Sequence, residues 1–189
     1  MNMQGRELTL KNSDTKVQIR TLQKKDAGQL IKLITKIHHN NDLLELTHKE
    51  IEAIKTRKVR KTIKDFEKSK RQIMLGVYQD NNLVGICTIS RVSERNKQSH
   101  RAALFIGLDE ELRGKGLGAA LMKMAFDFAS KVAYEQFETT VLDGNTPAII
   151  LCTEYGFKAM CRFSRAFKNM KGAYQDSILL IKYLNNYEI

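Results

Sequence analysis

The sequence predicts an α/β (α+β) fold, with one mixed, mostly antiparallel sheet of about six to seven strands and about four helices. Three observations support this. The chain has 189 residues, enough to bury one core without covalent cross-links. Apolar residues make up 42% of it and proline occurs once, as in a globular chain. Segments with strand and helix periodicity alternate along the whole sequence, without a linker, so we expect one domain over residues 1–189 with its core at about 17–184.

The first part of the chain predicts a strand followed by two helices. Apolar residues alternate from Lys16 to Leu22, as in a strand with one buried face. Helical spacing of leucine and isoleucine then predicts a helix over residues 25–39, which the polar residues 40–42 end. A capping box of Thr47 and Glu50 begins a long basic helix, expected from Ile51 to Arg71.

A hairpin and a central strand come next. Two β-rich runs flank Asp80, Asn81 and Asn82, residue types that tolerate the left-handed conformation of a tight turn. The run from Arg101 to Leu108 is almost wholly apolar, which is typical of a strand buried on both faces.

The last part predicts two helices, a strand and a second hairpin. Helical spacing covers residues 116–132, and β-branched residues predict a strand over residues 137–143. A short helix follows, with Pro147 in its first turn and Gly156 at its end. Two further β-rich runs surround the turn at residues 169–172.

Composition excludes several classes of protein. No apolar run approaches the roughly 20 residues of a membrane span, and the polar first residues do not resemble a signal peptide. Cys87, Cys152 and Cys161 form no paired framework, which favours a reducing, cytoplasmic environment. Neither they nor the four histidines have metal-ligand spacing, so we expect no metal site.

The formal net charge of +11 favours an anionic partner. Nine basic and two acidic residues lie between Lys55 and Arg71. A solvated helix face accounts for such a run as well as a binding surface does. Proteins that bind single-stranded nucleic acid interleave aromatic residues with their cations, and Phe66 is the one aromatic residue in this run. The sequence therefore argues against a nucleic-acid module.

The segment "LRGKGLGAALMKMAFDFA" places three glycines and two cations between the apolar strand and the helix at residues 116–132. Helix N-termini present N–H groups without intrahelical partners and a partial positive charge. Glycine lets the chain turn several N–H groups toward one anion. Arg113 and Lys115 add formal charge, so we expect a phosphate or pyrophosphate site here.

Two other interpretations of these glycines are weaker. Tight packing of strand on helix would need one glycine rather than three. "GKGLGA" also satisfies the dinucleotide pattern GxGxxG/A, but the polar residues 109–112 separate it from the strand and hairpins flank it, unlike that fold. No GxxxxGK[ST] segment is present, so a nucleoside triphosphate loop of that kind is excluded.

These residues resemble the GNAT superfamily of acetyl-CoA-dependent N-acetyltransferases. "RGKGLG" at residues 113–118 matches its R/Q-x-x-G-x-G/A signature. "NTPAIILCTEYGF" at residues 145–157 is similar to its N-x-x-A-x-x-L…GF segment, and the closing hairpin carries Gly172, Tyr174 and Asp176 in the expected places. The resemblance spans residues 17–184 and implies a cytoplasmic enzyme of bacterial type.

The resemblance implies a site for the co-substrate acetyl-CoA. The loop would bind the pyrophosphate through backbone N–H groups, and the preceding strand would pair with the pantetheine arm, from which the strand at Phe137 must splay away. Asn145 would bond the CoA arm, although an N-cap explains this asparagine equally well. The residues implied in CoA binding are Ile106, Gly107, Leu108, Arg113, Gly114, Lys115, Gly116, Leu117, Gly118, Ala119 and Asn145.

The sequence departs from the family at its acid and its base. Many members carry a tyrosine that protonates the departing thiolate where this chain has Cys152, and Tyr155 could substitute for it. The thiol of Cys152 is also explained as a small buried side chain. The family's glutamate base is replaced by Ala102, which leaves His100, Glu110, Glu111 or a water chain as base. The resemblance places His38 and His39 where the family builds its acceptor wall, although adjacent histidines in a loop are also explained as exposed side chains.

Two functions remain open. The first is N-acetyl transfer to a primary amine of a small molecule or protein, with the basic helix at 51–71 as a cationic wall suited to an acceptor with a carboxylate or phosphate. The second is a non-catalytic domain that binds acyl-CoA or associates with nucleic acid. The resemblance also allows a homodimer formed through the sheet edge or the closing hairpin.

Overall fold

The computed structural model describes residues 5–11, 14–40, 48–169 and 172–184, apart from the side chains of residues 39, 40 and 48. These residues contain eight strands, one or two more than predicted, and five α-helices, where four were predicted. The strands are β1 (Arg6–Thr9), β2 (Lys16–Thr21), β3 (Ile73–Gln79), β4 (Asn82–Arg91), β5 (Arg101–Leu108), β6 (Gln136–Leu142), β7 (Lys158–Lys168) and β8 (Tyr174–Tyr183). The helices are α1 (Ala27–Asn40), α2 (His48–Glu52), α3 (Thr56–Lys68), α4 (Leu117–Lys131) and α5 (Thr146–Glu154).

The described chain divides into two compact units. The first contains residues up to Ile89 and Phe105–Leu121, and the second contains Ser90–Leu104 and the residues from Met122 onward. The strand order in the first unit is β1-β2-β3-β4-β5, and in the second it is β5-β6-β8-β7. Strands β5 and β6 are parallel, whereas the registers of β1/β2, β2/β3, β3/β4, β6/β8 and β7/β8 are antiparallel. The sheet is therefore mixed, as predicted.

The core of the first unit forms where α1 and α3 pack on β3 and β4. One apolar cluster joins Leu30 and Leu33 of α1, Ile63 of α3 and Ile86 of β4. Burial of each such side chain contributes about 1.5 to 3 kcal/mol. The apolar stripe that predicted α1 is thus the buried stripe of the structure.

The β3–β4 hairpin has the predicted turn. Asp80 and Asn81 take φ values of 49° and 64°, and Gln79 pairs with Asn82 across the turn. Positive φ at both central residues is the two-residue turn whose twist matches that of the flanking strands. The prediction of a hairpin at this position is confirmed.

The long basic helix predicted over residues 51–71 is wrong as a single element. It is divided into α2 and α3, and Lys55 takes an extended conformation with φ −78° and ψ 125°. The strand β1 was not predicted at all. The expected capping residue Thr47 and part of the predicted turn at residues 169–172 lie outside the described residues.

The second unit is built on β6, β7 and β8. Phe137 of β6 and Leu180 of β8 are buried side chains, as is Phe128 of α4. The β5–β6 register contains three pairs, from Arg101–Gln136 to Ala103–Glu138, and Arg101 and Glu138 form a salt bridge there. Strand β6 pairs with β8 along its full length. In the parts of the chain that the structure describes, no helix is long and apolar enough to cross a bilayer.

Candidate active site

The end of β5 is closely packed in the first unit. Gly107 is buried, while Ile106 and Leu108 are half-buried. A Cβ at Gly85 of β4 would lie 2.7 Å from Cδ2 of Leu108, so a side chain there would force that leucine to shift. The N–H of Asp109, directly after β5, donates to the Val84 carbonyl of β4 at 2.9 Å.

A short loop joins β5 to α4. It begins with a 3-10 turn, Glu110–Leu112, which the buried side chain of Leu112 anchors. Gly114 and Gly116 then take φ values of 72° and 79°, the left-handed region that glycine adopts without steric cost. The first helical hydrogen bond of α4 runs from the Ala120 N–H to the Gly116 carbonyl at 3.1 Å. Gly116 is therefore the last residue before the helix N-terminus.

The main chain at Lys11 orients this loop. The N–H of Lys11 donates to the Lys115 carbonyl at 3.1 Å. In a trans peptide the C=O and the following N–H point in opposite directions. Because the Lys115 carbonyl is directed at Lys11, the Gly116 N–H is directed away from it. The Gly116 N–H directly precedes the N-terminus of α4, a position that suits an anion, and the phosphate site expected from the glycines stays a prediction.

An ion pair that the sequence did not indicate adjoins the loop. The carboxylate of Asp109 is buried, and its Oδ2 accepts a hydrogen bond from Lys36 Nζ of α1 at 2.5 Å. That bond is the main reason why the pKa of Lys36 is raised. Oδ1 of Asp109 is buried without a hydrogen-bond partner among the described residues. The only feature of the sequence that pointed to this ion pair was an acidic residue, Asp109, directly after an apolar strand.

Asn145 lies in the second unit, where it caps α5. Its side-chain oxygen accepts from the Ala148 N–H at 3.4 Å, a long bond, and its carbonyl accepts from the same N–H at 3.1 Å. The N-cap interpretation of this asparagine is confirmed, while its role toward CoA stays a prediction.

The two candidate proton donors occupy different surroundings in the second unit. Cys152 is buried on α5, and burial raises the pKa of its thiol to about 11. Tyr155 follows the helix, and its ring lies 5.9 Å from that of Phe126. It also lines a cavity of about 440 Å³ together with Ser130, Tyr134 and Lys182. The residue Tyr155 is half-buried, whereas Cys152 is buried.

The candidate bases are distributed as follows. Ala102, at the position of the family's glutamate, is fully buried. The carbonyl of His100 accepts the N–H of Glu135 at 2.9 Å. Glu110 and Glu111 are exposed in the 3-10 turn. His38 is buried on α1, and the side chain of His39 lies outside the described residues.

No group of three or more His, Cys, Asp or Glu residues suited to a metal ion occurs within the described ranges.

Comparison with solved structures identifies the same fold in several acetyltransferases. A GNAT-family acetyltransferase of Streptococcus pneumoniae superposes with a TM-score of 0.82 and 22% identity, covering 89% of this chain and 99% of that one. The protein yncA of Salmonella typhimurium, solved with its cofactor acetyl-CoA, gives a TM-score of 0.78 and 13% identity, covering 92% and 96%. At these identities the likeness shows the fold.

Curated relatives are similar over shorter segments. An L-amino acid N-acetyltransferase of Escherichia coli is 32% identical over 80 residues, 42% of this chain and 49% of that protein. An uncharacterized prophage-derived N-acetyltransferase of Bacillus subtilis is 29% identical over 105 residues, 55% and 57%. The chain thus spans about half the length of the curated relatives it matches.

The sequence profile of the acetyltransferase (GNAT) domain matches residues 19–179, well over half of the chain. That match includes the glycine loop between β5 and α4, and the fold agrees with that of solved family members. The chain therefore belongs to the GNAT family of acetyltransferases.

Proposed function

We propose that this protein is an acetyl-CoA-dependent N-acetyltransferase that moves the acetyl group directly to a primary amine of a small molecule or protein. The observation that carries the proposal is the loop between β5 and α4. In this loop Gly114 and Gly116 are left-handed and two cations flank Gly114. The family binds acetyl-CoA, and the loop has the chemistry that a pyrophosphate needs.

The proposed pyrophosphate site uses main-chain atoms chiefly. The N–H groups of the loop and of the first turn of α4 would donate to it, with charge from Arg113 and Lys115. The residues assigned to this role are Arg113, Gly114, Lys115, Gly116, Leu117, Gly118 and Ala119. Because the donors belong to the backbone, glycine conformation matters more here than side-chain identity.

The proposed pantetheine site is the end of β5. Its register with β6 ends at Ala103, whereas β5 continues to Leu108. Backbone groups of Ile106, Gly107 and Leu108 could therefore pair with the amide groups of the pantetheine arm, and Asn145 could add one bond. Alignment of the thioester and the amine would supply much of the rate acceleration.

The reaction needs two proton movements. The acceptor ammonium loses a proton before its nitrogen attacks the thioester carbonyl, and the departing thiolate gains one. For the first we propose His100, Glu110, Glu111 or a water chain, since the β5 residues 102–108 hold no titratable group. For the second, Tyr155 is favoured over Cys152, whose buried thiol has a pKa of about 11.

Amino acids are the acceptors to test first. The E. coli relative is an L-amino acid N-acetyltransferase, and its similarity covers 80 residues. An amino acid combines the primary amine that the reaction needs with a carboxylate that cationic residues can bind. Protein N-termini and simple amines without a carboxylate complete the panel.

A second candidate function has its own support. The family's glutamate position holds the buried Ala102, and its tyrosine position holds the buried Cys152. A domain that binds acyl-CoA without turning it over would show these losses while it kept the glycine loop. Turnover decides between the two candidates.

The homodimer and the cytoplasmic location remain proposals. Strand β7 is the edge strand of the second unit, and Met160 and Phe163 on it are exposed apolar side chains of the kind that fill interfaces. Cys87, Cys152 and Cys161 are free thiols, which suits a reducing compartment.

The test is calorimetric titration with acetyl-CoA, followed by a thiol-release assay on the amine panel. Gly114→Ala places a Cβ in open space at a left-handed position, which costs roughly 1 to 2 kcal/mol of strain. We expect it to weaken acetyl-CoA binding at least tenfold because the loop N–H groups turn away. Gly172→Ala is the matched control, since Gly172 has φ 77° and open space around it but lies in the β7–β8 turn.

Three outcomes are distinguishable. The enzyme is supported if the protein binds and turns over acetyl-CoA, and if Gly114→Ala weakens that binding while Gly172→Ala does not. Binding without turnover on any amine supports the second candidate. Absence of acetyl-CoA binding by the wild-type protein overturns both.

A further inference from the structure

The outer face of α3 is a cationic surface. Arg57, Arg60, Lys61, Lys64 and Lys68 are all exposed. At about 100° per residue they fall within an arc of roughly 100°. We name these five side chains the α3 basic face.

The α3 basic face points away from the core of its unit. Ile63 is fully buried, and Val59 and Phe66 pack against the same apolar cluster. These three residues lie roughly opposite the basic arc on the helix. The basic side chains are therefore held toward solvent by the packing of the other side, and a role as a charged acceptor wall gains no support from this placement.

No described carboxylate neutralises the charge of this face. Its five side chains make no ion pair with any carboxylate in the described part of the chain. The acidic residues of the helix, Asp65 and Glu67, lie about 80° to either side of the arc centre. Five like charges remain on one rigid ridge, which repel one another unless an anion is present.

We propose that the α3 basic face binds the phosphate backbone of double-stranded DNA. From Arg57 to Lys68 the helix rises about 16 Å. That length of duplex axis holds about five phosphates on each strand, at about 3.4 Å each. The number of cations on this length of helix thus matches the number of phosphates on one strand over the same length of duplex.

Other polyanions fit this face less well. Single strands are bound by stacking on aromatic rings, and the one aromatic residue of α3, Phe66, is on the packed side. Protein interfaces need apolar or aromatic anchors, which this face lacks. A membrane-surface helix inserts its apolar side, but that side of α3 is buried in the protein. A helix laid in the wide major groove of B-DNA brings its basic side chains to the phosphates along the groove edge, whereas the narrow major groove of duplex RNA does not admit a helix.

The scarcity of aromatic residues counts against binding of single strands, which stack on aromatic rings, whereas backbone binding to a duplex needs cations alone. The contact would carry no sequence preference, because phosphates are the same at every base pair.

The experiment measures fluorescence anisotropy of a labelled DNA duplex of about 20 base pairs with the full-length protein over a range of salt concentrations. We expect a Kd of about 1 to 100 μM near physiological salt, and a slope of log K against log salt of about −4 to −5. The variant Lys61→Glu/Lys64→Glu/Lys68→Glu should bind at least tenfold more weakly, with a slope smaller by about 3.

The control variant carries the same change of net charge elsewhere. Lys97, Lys131 and Lys158 are exposed and lie in the second unit, so Lys97→Glu/Lys131→Glu/Lys158→Glu should retain most of the affinity. Circular dichroism of both variants confirms folding without reference to acetylation. Equal losses in the two variants, equally tight binding of a duplex RNA, or tighter binding to phosphatidylserine vesicles would each overturn the proposal.

Discussion

Asp26 is the residue whose charge state most clearly supports the fold. It is 2% exposed, and both its oxygens accept from the Arg20 guanidinium at 2.8 and 2.9 Å. The Gln23 N–H adds a bond of 2.7 Å. Burial alone would raise the pKa of Asp26, but the bonds from Arg20 and Gln23 outweigh it, and the pKa is lowered.

The lowered pKa of Asp26 predicts acid sensitivity. The native carboxylate binds protons less readily than the unfolded one, whose pKa is about 3.9. Its contribution is therefore present above that value and is lost as pH falls through the lower, folded pKa. Asp26→Asn should lower the free energy of unfolding by about 2 to 3 kcal/mol at neutral pH. Urea unfolding at several pH values should show the difference shrinking below about pH 4.

The exposed pair Arg91–Glu94 provides the control for Asp26. Its atoms are 2.6 Å apart, but Glu94 is 79% exposed. Glu94→Gln should change stability by at most about 0.5 kcal/mol. An equal effect of the two substitutions would contradict the role given to burial.

Cys152 and Tyr155 should differ in their effect on turnover. A free thiol ionises near 8.5, so proton transfer from a thiol with a pKa of about 11 to the CoA thiolate is uphill by roughly 3 kcal/mol. Cys152→Ala should keep kcat within about threefold. Tyr155→Phe should lower kcat at least tenfold, since general acids contribute about 100-fold or more. Steady-state kinetics on the best acceptor measures both, and the reverse pattern would assign the proton to Cys152.

At the scale of elements, the β3–β4 turn tests how local sequence sets the backbone. Asn81 has φ 64°, a value that glycine adopts more easily. Asn81→Gly should raise the free energy of unfolding by about 0.5 kcal/mol. Asn82→Gly is the matched control, because Asn82 begins β4 in extended conformation. It should lower stability by about 0.5 to 1 kcal/mol. Urea unfolding of the two variants measures these changes. If both urea midpoints moved in the same direction relative to the unsubstituted protein, this account of the turn would be refuted.

Elements with a strong side-chain period were predictable, and the others were not. The apolar stripe of α1 corresponds to buried positions, whereas the expectation that β5 is buried on both faces was wrong: Ala102 and Leu104 are buried, but Phe105 is 42% exposed. Strand β1 has no such period, since its side chains are mostly exposed, and backbone pairing with β2 holds it at the sheet edge. A sequence carries no direct sign of such a strand.

The division of the basic helix has a geometric reason. Ile51 and Ile63 are both buried. On one straight helix they would point about 120° apart. The break at Lys55 lets α2 and α3 each bury its own isoleucine. No glycine or proline marks this break, so the local sequence did not predict it.

At the scale of the whole molecule, the family and the glycine loop were predictable because the loop depends on main-chain conformation, and glycines in the sequence mark where that conformation occurs. The pair of Asp109 and Lys36 was not predictable, since its partners are 73 positions apart and only folding joins them. The same limit applied to the α3 basic face. Its charges were evident in the sequence, but its direction depends on what Val59, Ile63 and Phe66 contact.

The bond from the Lys11 N–H to the Lys115 carbonyl has a consequence for sequence variation among relatives. The donor is an atom that every residue except proline possesses. Selection on this bond would therefore leave position 11 free to drift through many amino acids while it removes proline alone. A position that varies freely among related sequences would then still hold the loop in place through its backbone N–H.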